Sequence, residues 1–210
     1  MAGREWQPRP RSGSLLGVRI FLAGATGVIG LRLVPLLVAD GHRVAGITSS
    51  ARKADTLREL GAEPVVCDVF DPAPLVEAVV SFRPDALLDQ LTDLPDDEAS
   101  IPEFGRANAR IRGEGTRNLL AAARTAGMGR FLAQSVAWRL PGDGGAAVEE
   151  LERSVLEADG VVLRYGRFYG PGTYYEQAPP PPPRVHIDEA ARRTVEALDA
   201  PSGVLEILED

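Results

Sequence analysis

The sequence predicts an α/β fold, a doubly wound parallel sheet of about seven strands with helices on both faces. Two observations support this prediction. Short runs of Val, Leu and Ile alternate with helical stretches along the chain, and the first run ends in the glycine-rich segment FLAGATGVIG, Phe21–Gly30. Strands and helices that alternate at this spacing build a parallel sheet, whose strands are apolar throughout because helices cover both faces.

The elements follow one another from Val18 onward. The predicted strands are, in order, residues 18–24, 43–48, 64–69, 85–91, 130–136, 161–166 and 204–208. The predicted helices are, in order, residues 28–39, 53–60, 74–80, 107–125, 146–157 and 189–198. Residues 1–16 are basic and rich in Pro, Gly and Ser, and we expect them to be a disordered leader rather than a signal peptide. Residues 17–210 are expected to form one domain.

The composition argues against several classes of function. With 30 acidic against 23 basic residues and a formal charge of −7, the chain offers no general surface for nucleic acid. No apolar run is long enough to span a membrane. Cys67 is the only cysteine, and His42 and His186 are the only histidines, so no disulfide framework and no metal site are expected. These features favour a cytoplasmic protein that acts on a small-molecule substrate.

The segment FLAGATGVIG is typical of a strand that turns tightly into a helix around a phosphate group. Its glycines stand at Gly24, Gly27 and Gly30, a strand precedes them, a helix follows, and a second strand arrives at the expected distance. Glycine is also required in tight turns for steric reasons alone, so the flanking elements carry the prediction. A pyrophosphate would lie at the helix N-terminus, where free N–H groups meet it. The predicted contacts are Gly24, Thr26, Gly27, Val28, Ile29 and Gly30.

Six ordered motifs extend this pattern to the whole chain from about Val18. They are GATGVIG, CDVFD at 67–71, EGTRNLLAAA at 114–123, RFLAQS at 130–135, LRYGRFYGPG at 163–172 and VHIDEAA at 185–191. Together they resemble the extended short-chain dehydrogenase/reductases, the NAD-dependent epimerase/dehydratase group. The resemblance implies a Rossmann fold, a nicotinamide dinucleotide cofactor and oxidoreductase or epimerase chemistry on a small carbonyl, alcohol or sugar-like substrate.

The end of the second strand favours NADP over NAD. An acidic residue there would bind the ribose 2′-hydroxyl and select NAD. The sequence instead reads GITSSARK, with Ser49 followed by Arg52 and Lys53. Hydroxyl and cationic groups can hold a 2′-phosphate. The alternative is that Arg52 and Lys53 belong to a solvated first helical turn, since Arg52 lies slightly past the usual position.

The resemblance implies further cofactor contacts. Asp68 and Val69 would contact the adenine, whereas Gln90, Leu91 and Thr92 would pass near the nicotinamide ribose. In the family, the long helix and the helix after it often form a dimer, so a homodimer is a further expectation.

The chain departs from the family at the catalytic positions. Relatives carry a Tyr-x-x-x-Lys pair on the helix after the fifth strand, in which the lysine lowers the tyrosine pKa for proton exchange. Here Gly144 and Val148 occupy those positions, and Lys53 is the only lysine in the chain. The family's catalytic hydroxyl aligns with Val136, one residue after Ser135.

Three residues are candidates to replace the missing groups: Ser135, Tyr165 and Arg112, the last of which aligns with an asparagine of related enzymes. Asn108 lies one turn before it. Tyr169 also flanks the end of the sixth strand. The alternative for both tyrosines is a structural role, in which the ring packs against the protein and the hydroxyl is exposed to solvent.

We expect Arg164, His186 and Asp188 to be structural, with His186 and Asp188 capping a helix entry.

The substrate lobe of the family is much reduced. Only residues 173–184, five of them proline, lie between the YGPG turn and the VHIDEAA motif. Three hypotheses follow: an atypical NAD(P)-dependent oxidoreductase or epimerase, a non-catalytic dinucleotide-binding sensor or partner-binding module, and a degenerate gene product. We favour the enzyme, by analogy with other chains that carry these motifs.

Overall fold

The computed structural model describes residues 17–95 and 97–209, so the expected leader at residues 1–16 lies outside the described residues. The strands are β1 (Arg19–Ala23), β2 (Arg43–Thr48), β3 (Glu63–Val66), β4 (Ala86–Asp89), β5 (Phe131–Val136), β6 (Val161–Tyr165), β7 (Arg167–Tyr169), β8 (Arg184–His186) and β9 (Gly203–Ile207). The α-helices are α1 (Gly30–Ala39), α2 (Ala54–Glu59), α3 (Pro72–Phe82), α4 (Ile101–Arg110), α5 (Thr116–Thr125), α6 (Gly142–Glu157) and α7 (Ile187–Glu196).

Seven strands form one parallel sheet in the order β3-β2-β1-β4-β5-β6-β9. The predicted doubly wound fold is confirmed. The strand order reverses between β1 and β4, which creates the crevice where ligands bind in open α/β sheets. Because all strands are parallel, their carboxyl ends lie along one edge, and the loops after β1, β2, β4, β5 and β6 meet there.

The inner strands of the sheet are buried on both faces, whereas the outer strands β3 and β9 are partly exposed, with Val66 53% and Val204 39% exposed. On β1, Ile20 and Leu22 join the core beneath α1 and α7, whereas Phe21 and Ala23 join the core beneath α3 and α5. This explains the unbroken apolar runs that predicted the fold, because alternate side chains enter two different cores. No helix among the described residues has the length and apolar character needed to cross a membrane.

Several element boundaries differ from the prediction. The third strand ends at Val66, so Asp68 and Val69 lie in a loop rather than in the strand. The long helix begins at Ile101 and is interrupted by a π-helical turn at Ile111–Gly115. Two proline residues near helix starts obscured these limits: Pro72 and Pro102 stand in the first turns of α3 and α4, where a missing N–H costs nothing.

The sequence did not predict β7 and β8, which form a separate two-stranded parallel sheet. Each has three residues, too few for a periodic pattern. The Pro-rich segment at 173–184 connects them, and the backbone N–H of Arg167 donates to the Pro183 carbonyl at 2.9 Å.

Candidate active site

The glycine turn after β1 lies against the loop after β4. Gly24 has φ +80°, and a Cβ placed on it would lie 2.5 Å from the carbonyl oxygen of Gln90. Only glycine fits both requirements, since other residues are strained at this φ and would collide with the neighbouring backbone. The turn therefore closes directly over the crevice between β1 and β4.

The same turn leaves donors for an anion at the start of α1. A Cβ on Gly30 would overlap the carbonyl oxygen of Gly24, and the N–H of Gly27 donates to that oxygen at 3.0 Å. The N–H groups of Val28 and Ile29 donate to no acceptor among the described residues. They precede the first turn of α1, where the helix dipole also favours negative charge. This geometry fits a dinucleotide pyrophosphate.

Arg32 links the glycine turn to the C-terminal part of the chain. Its guanidinium donates to the carbonyls of Val28, at 2.9 Å, and Pro171, and its Nε pairs with Asp188 at 2.6 Å. A Cβ on Gly172 would lie 3.7 Å from Val28. The segment after β7 therefore packs directly on the phosphate turn.

The end of β2 carries two cations and no acid. Arg52 and Lys53 are exposed in a single 3₁₀ turn, and neither forms an ion pair within the described part of the chain. Ser49 is exposed, and Ser50 donates its N–H to the Thr48 hydroxyl at 3.2 Å. Two uncompensated cations at this edge suit a phosphate on the adenosine ribose.

The adenine contacts expected from the resemblance lie beyond β3. Asp68 is exposed, and its carboxylate accepts the Phe70 N–H at 2.9 Å. Val69 is buried, and its carbonyl accepts a hydrogen bond from Asn118 at 2.9 Å. Its side chain lies 3.5 Å from a Cβ built on Gly115. With this arrangement, the Asp68 carboxylate can accept a hydrogen bond from a planar base while the Val69 side chain packs against it.

Gln90, Leu91 and Thr92 form the start of the loop after β4. Gln90 is buried, and its Oε1 has no hydrogen-bond partner among the described residues, whereas Leu91 and Thr92 are half-buried. The Asn108 side chain accepts the N–H of Asp93 at 3.1 Å, so α4 holds this loop in place.

No tyrosine and no lysine occur in α6, whose sequence is GDGGAAVEELERSVLE. Gly144 and Val148, which align with the family's Tyr and Lys, both lie in this helix. Since the helix bounds are now fixed, a shift of the alignment by a turn cannot restore the pair. Val136, at the position of the family hydroxyl, is the last residue of β5 and is buried.

Ser135 lies in a polar cluster with the partly buried side chains of Glu152 and Arg164. Its side chain is fully buried, and its hydroxyl donates to Glu152 at 2.6 Å. Glu152 also accepts from Arg164, Nε at 2.8 Å and Nη2 at 2.5 Å. Although burial opposes its charge, the bonds from Arg164 and Ser135 hold the pKa of Glu152 below its usual range. Arg164 thus makes the kind of side-chain pair that the sequence led us to expect.

Arg112 occupies the π-helical turn and is 4% exposed. Its Nε and Nη1 have no hydrogen-bond partner among the described residues, and burial lowers its pKa. Asp89 and Glu152 are the nearby carboxylates that favour its charge. A buried guanidinium with unused donors calls for a ligand or water, and single π-helical turns are frequent at functional sites.

Asp89, at the end of β4, is buried next to this guanidinium. Its carboxylate accepts from the Thr116 hydroxyl at 2.7 Å and from the Leu91 N–H at 3.1 Å. Burial raises the pKa of Asp89 to about 6, and these hydrogen bonds and Arg112 oppose the shift. The carboxyl group therefore titrates near neutral pH.

Tyr165 packs in the core at the end of β6. It is 2% exposed, and its hydroxyl shares a 2.6 Å hydrogen bond with Thr194 and accepts from Gln90 Nε2 at 3.3 Å. Burial raises its pKa well above the ordinary tyrosine value, opposite to the shift that a catalytic tyrosine needs. This environment supports packing rather than proton transfer.

The remaining expectations concern the entry to α7. His186 is the N-cap of α7, and its Nδ1 accepts the Asp188 N–H at 3.3 Å, so the capping residue is His186 and Asp188 lies in the first turn. The Tyr169 hydroxyl donates to Glu209 at 3.0 Å, and its ring packs edge-on against His186, 5.1 Å between centroids.

Sequence reasoning missed Glu152, Asp89 and Thr194. Their roles depend on contacts between elements far apart in the chain, 17 residues for Ser135–Glu152 and 27 for Asp89–Thr116. One signal was available: α6 presents a polar Glu152 between Leu151 and Val155, which are buried. An acid beside a core face indicates a buried partner.

The parallel sheet, its switch point after β1 and the glycine turn define a doubly wound α/β protein with a turn shaped for a dinucleotide phosphate. The model of the NAD dependent epimerase/dehydratase family matches residues 20–138. The chain belongs to this family.

Known proteins resemble the chain over different parts of it. The 3-diazoavenalumate denitrifying reductase of a Streptomyces species is 40% identical over 182 residues, 75% of this chain. The chain spans 59% of that protein's length. The photosystem II assembly factor Ycf39 of Synechocystis is 30% identical over 119 residues, 57% of this chain and 34% of that protein. The UDP-glucose 4-epimerase of Thermus thermophilus, solved in complex with NAD, shares the fold, with a TM-score of 0.73 at 21% identity over 90% of this chain and 77% of that chain.

Proposed function

We propose that this protein binds a nicotinamide dinucleotide and is an atypical oxidoreductase that acts on a small-molecule substrate. The observation that carries the proposal is the glycine turn. Gly24 and Gly30 leave no room for a side chain, and the N–H groups of Val28 and Ile29 stand free at the start of α1. Such a turn at a topological switch point suits a pyrophosphate.

The proposed cofactor is NADP rather than NAD. The residues that would hold it are Gly24, Thr26, Gly27, Val28, Ile29 and Gly30 at the pyrophosphate, Ser49, Arg52 and Lys53 at the 2′-phosphate, Asp68 and Val69 at the adenine, and Gln90, Leu91 and Thr92 at the nicotinamide ribose. Exposed, unpaired Arg52 and Lys53 support the choice of NADP, since no carboxylate competes for them.

The chain's own residues limit the chemistry. Ser135 and Tyr165 are buried and already hydrogen-bonded, so neither is free to give a proton to a substrate. Arg112 retains unused donors and supplies positive charge without a proton. When bound, a reduced nicotinamide supplies a hydride, and replacing a diazonium group by that hydride with loss of N₂ needs no protein acid, whereas reducing a ketone needs one proton.

An aromatic diazonium compound is therefore the first substrate class that we propose, ahead of carbonyls and nucleotide sugars. The name of the Streptomyces relative, a denitrifying reductase of a diazo acid, supports this order. Small carbonyls, alcohols and sugar-like compounds remain in the test as the substrates that the family resemblance implies.

The experiment follows NADPH oxidation with purified protein and three substrate groups: an aromatic diazonium compound, a panel of ketones and aldehydes, and UDP-glucose. We expect turnover of the diazonium compound with release of one N₂ per NADPH oxidised. A reaction without enzyme measures the background. Tight NADPH binding without turnover of any of these substrates would overturn the proposal that the protein is an oxidoreductase.

The second candidate is a non-catalytic dinucleotide-binding sensor or partner-binding module. The absence of Tyr and Lys from α6 favours it, and one relative is named as an assembly factor. In this case Gly24→Val together with Gly27→Val should abolish partner binding along with dinucleotide binding. Partner binding that is unchanged in this variant would remove the sensor hypothesis.

Three further features belong to the proposal. Residues 17–210 act as one dinucleotide-binding domain in which residues 173–184 replace most of the substrate lobe. The protein works in the cytoplasm, where nicotinamide dinucleotides are available. It forms a homodimer through α4, α5 and α6; size-exclusion chromatography with light scattering tests this, and a monomer mass would contradict it.

A further inference from the structure

Three loops converge at the carboxyl ends of β4, β5 and β6. The segment after β7 reaches the first of them: the Tyr174 hydroxyl donates to the Pro95 carbonyl, and the Tyr175 hydroxyl donates to Glu98, both in the loop after β4. At its other end, Gly172 lies against the phosphate turn. Residues 172–175 therefore run as a strap over the edge of the sheet where a substrate would meet the nicotinamide.

Close to Tyr175 of this strap, one cation stacks on one aromatic ring. The Cζ of Arg167, two residues after β6, lies 4.8 Å from the ring centroid of Trp138, two residues after β5. Both side chains are half-buried. The guanidinium makes no hydrogen bond and no ion pair within the part of the chain that the structure describes, although its backbone N–H donates to Pro183. Its charge also acts on the phenol of Tyr175.

This arrangement leaves the guanidinium free to bind. Stacking on an indole uses the face of the guanidinium plane and fixes its orientation, while the N–H donors at its edge remain available. Those donors form a fork that matches a carboxylate in a bidentate pair. The indole face next to them suits a flat, conjugated group. The guanidinium and the indole together can therefore recognise a molecule that carries both a carboxylate and a flat, conjugated group.

We propose that Trp138 and Arg167 form a substrate subsite for a planar aromatic carboxylate, with Tyr175 at its border. The inference rests on the proposed function, because the subsite lies at the strand ends where the nicotinamide is expected. The aromatic group stacks on or beside Trp138, and the carboxylate pairs with Arg167.

The probes are 4-hydroxycinnamate, its methyl ester, cyclohexanecarboxylate and UDP-glucose, titrated by calorimetry into protein saturated with NADP. The acid should bind at least tenfold more tightly than its ester, which has lost the charge, and than cyclohexanecarboxylate, which has lost the planar ring. Arg167→Gln should weaken binding of the acid at least tenfold and remove the preference over the ester. Arg167→Lys should restore part of the affinity because it keeps the charge without the fork.

Trp138→Leu should reduce the affinity for the acid by a similar factor. The matched control is Arg139→Gln, which removes an exposed cation next to Trp138 and should bind the acid like the wild type. Equal binding of acid and ester, unchanged affinity in Arg167→Gln, or tighter binding of UDP-glucose than of the acid would overturn the inference.

A titration with NADPH on the same samples separates the two proposals. Protein that binds NADPH but not 4-hydroxycinnamate contradicts the aromatic carboxylate subsite alone. Protein that binds neither contradicts the proposed function, and the inference fails with it.

Discussion

The carboxylate of Glu152 on α6 accepts a hydrogen bond from the Ser135 hydroxyl on β5 at 2.6 Å, and the same carboxylate binds Arg164 on β6 through two nitrogens. Helix and strands are thereby joined below the edge of the sheet. The interaction engages the only serine near the family's catalytic hydroxyl position. It is therefore a structural tie that removes Ser135 from proton transfer.

Glu152→Ala should destabilise the protein by about 1–3 kcal/mol, because it leaves the Arg164 guanidinium and the buried Ser135 hydroxyl without their shared acceptor. Urea unfolding measures the change. The control is Glu157→Ala, which breaks an exposed i,i+4 pair with Arg153 in the same helix and should cost less than about 0.5 kcal/mol. Equal losses in the two variants would show that the hydrogen bonds of Glu152 to Ser135 and Arg164 stabilise the protein no more than the exposed pair does.

Tyr165→Phe should leave the rate of substrate reduction within about twofold of the wild type, since the phenol packs against Thr194 and does not donate a proton. Stability should fall by about 1 kcal/mol because the buried Thr194 hydroxyl loses one partner. Steady-state kinetics and thermal unfolding measure both. A loss of kcat by two orders of magnitude with unchanged KM would instead identify Tyr165 as the acid.

Gly24→Ala should weaken NADPH binding at least tenfold, because the new methyl group collides with the Gln90 carbonyl and displaces the turn. Gly41→Ala is a matched control: Gly41 also has a positive φ, +84°, but nothing lies within 4 Å of the added carbon. Both variants carry backbone strain of about 1–2 kcal/mol. If the two lose the same amount of NADPH affinity, the close approach at Gly24 is not what shapes the site.

Asp89 should make stability depend on pH between about 4 and 7. Its folded pKa, about 6, exceeds the ordinary value of 3.8, so its contribution is fully present below that value and is lost as the pH rises through 6. The loss relative to Asp89→Asn should reach about 3 kcal/mol. Urea unfolding of the wild type and of Asp89→Asn, at about pH 4 and at about pH 7, measures this difference in the free energy of unfolding. Parallel pH profiles for the wild type and Asp89→Asn would contradict the raised pKa.

Arg52→Ala combined with Lys53→Ala should lower affinity for NADPH about tenfold and leave affinity for NADH unchanged, because only NADPH carries the 2′-phosphate. Arg58→Ala, which removes an exposed cation of α2 that already pairs with Asp55, is the control. Calorimetry measures both cofactors. If the double variant loses affinity for both NADPH and NADH, Arg52 and Lys53 do not act through the 2′-phosphate.

The fold followed from the sequence because its signals are local. The strand residues Ile20–Ala23 are followed directly by the glycines of the turn, so a short stretch of sequence is enough to predict both the strand and the turn. The active-site chemistry did not follow in the same way. Whether Ser135 and Tyr165 are free or engaged depends on Glu152 and Thr194, which the fold brings in from distant segments. The strands β7 and β8 were missed because three-residue strands have no period to detect.

The dinucleotide site is tested most directly by calorimetric titration of the wild-type protein with NADPH and with NADH under identical conditions. We expect saturable binding with one site per chain and at least tenfold tighter binding of NADPH. Saturation by neither cofactor, in protein that unfolds cooperatively and is therefore folded, would contradict the assignment of the glycine turn after β1 as a dinucleotide site.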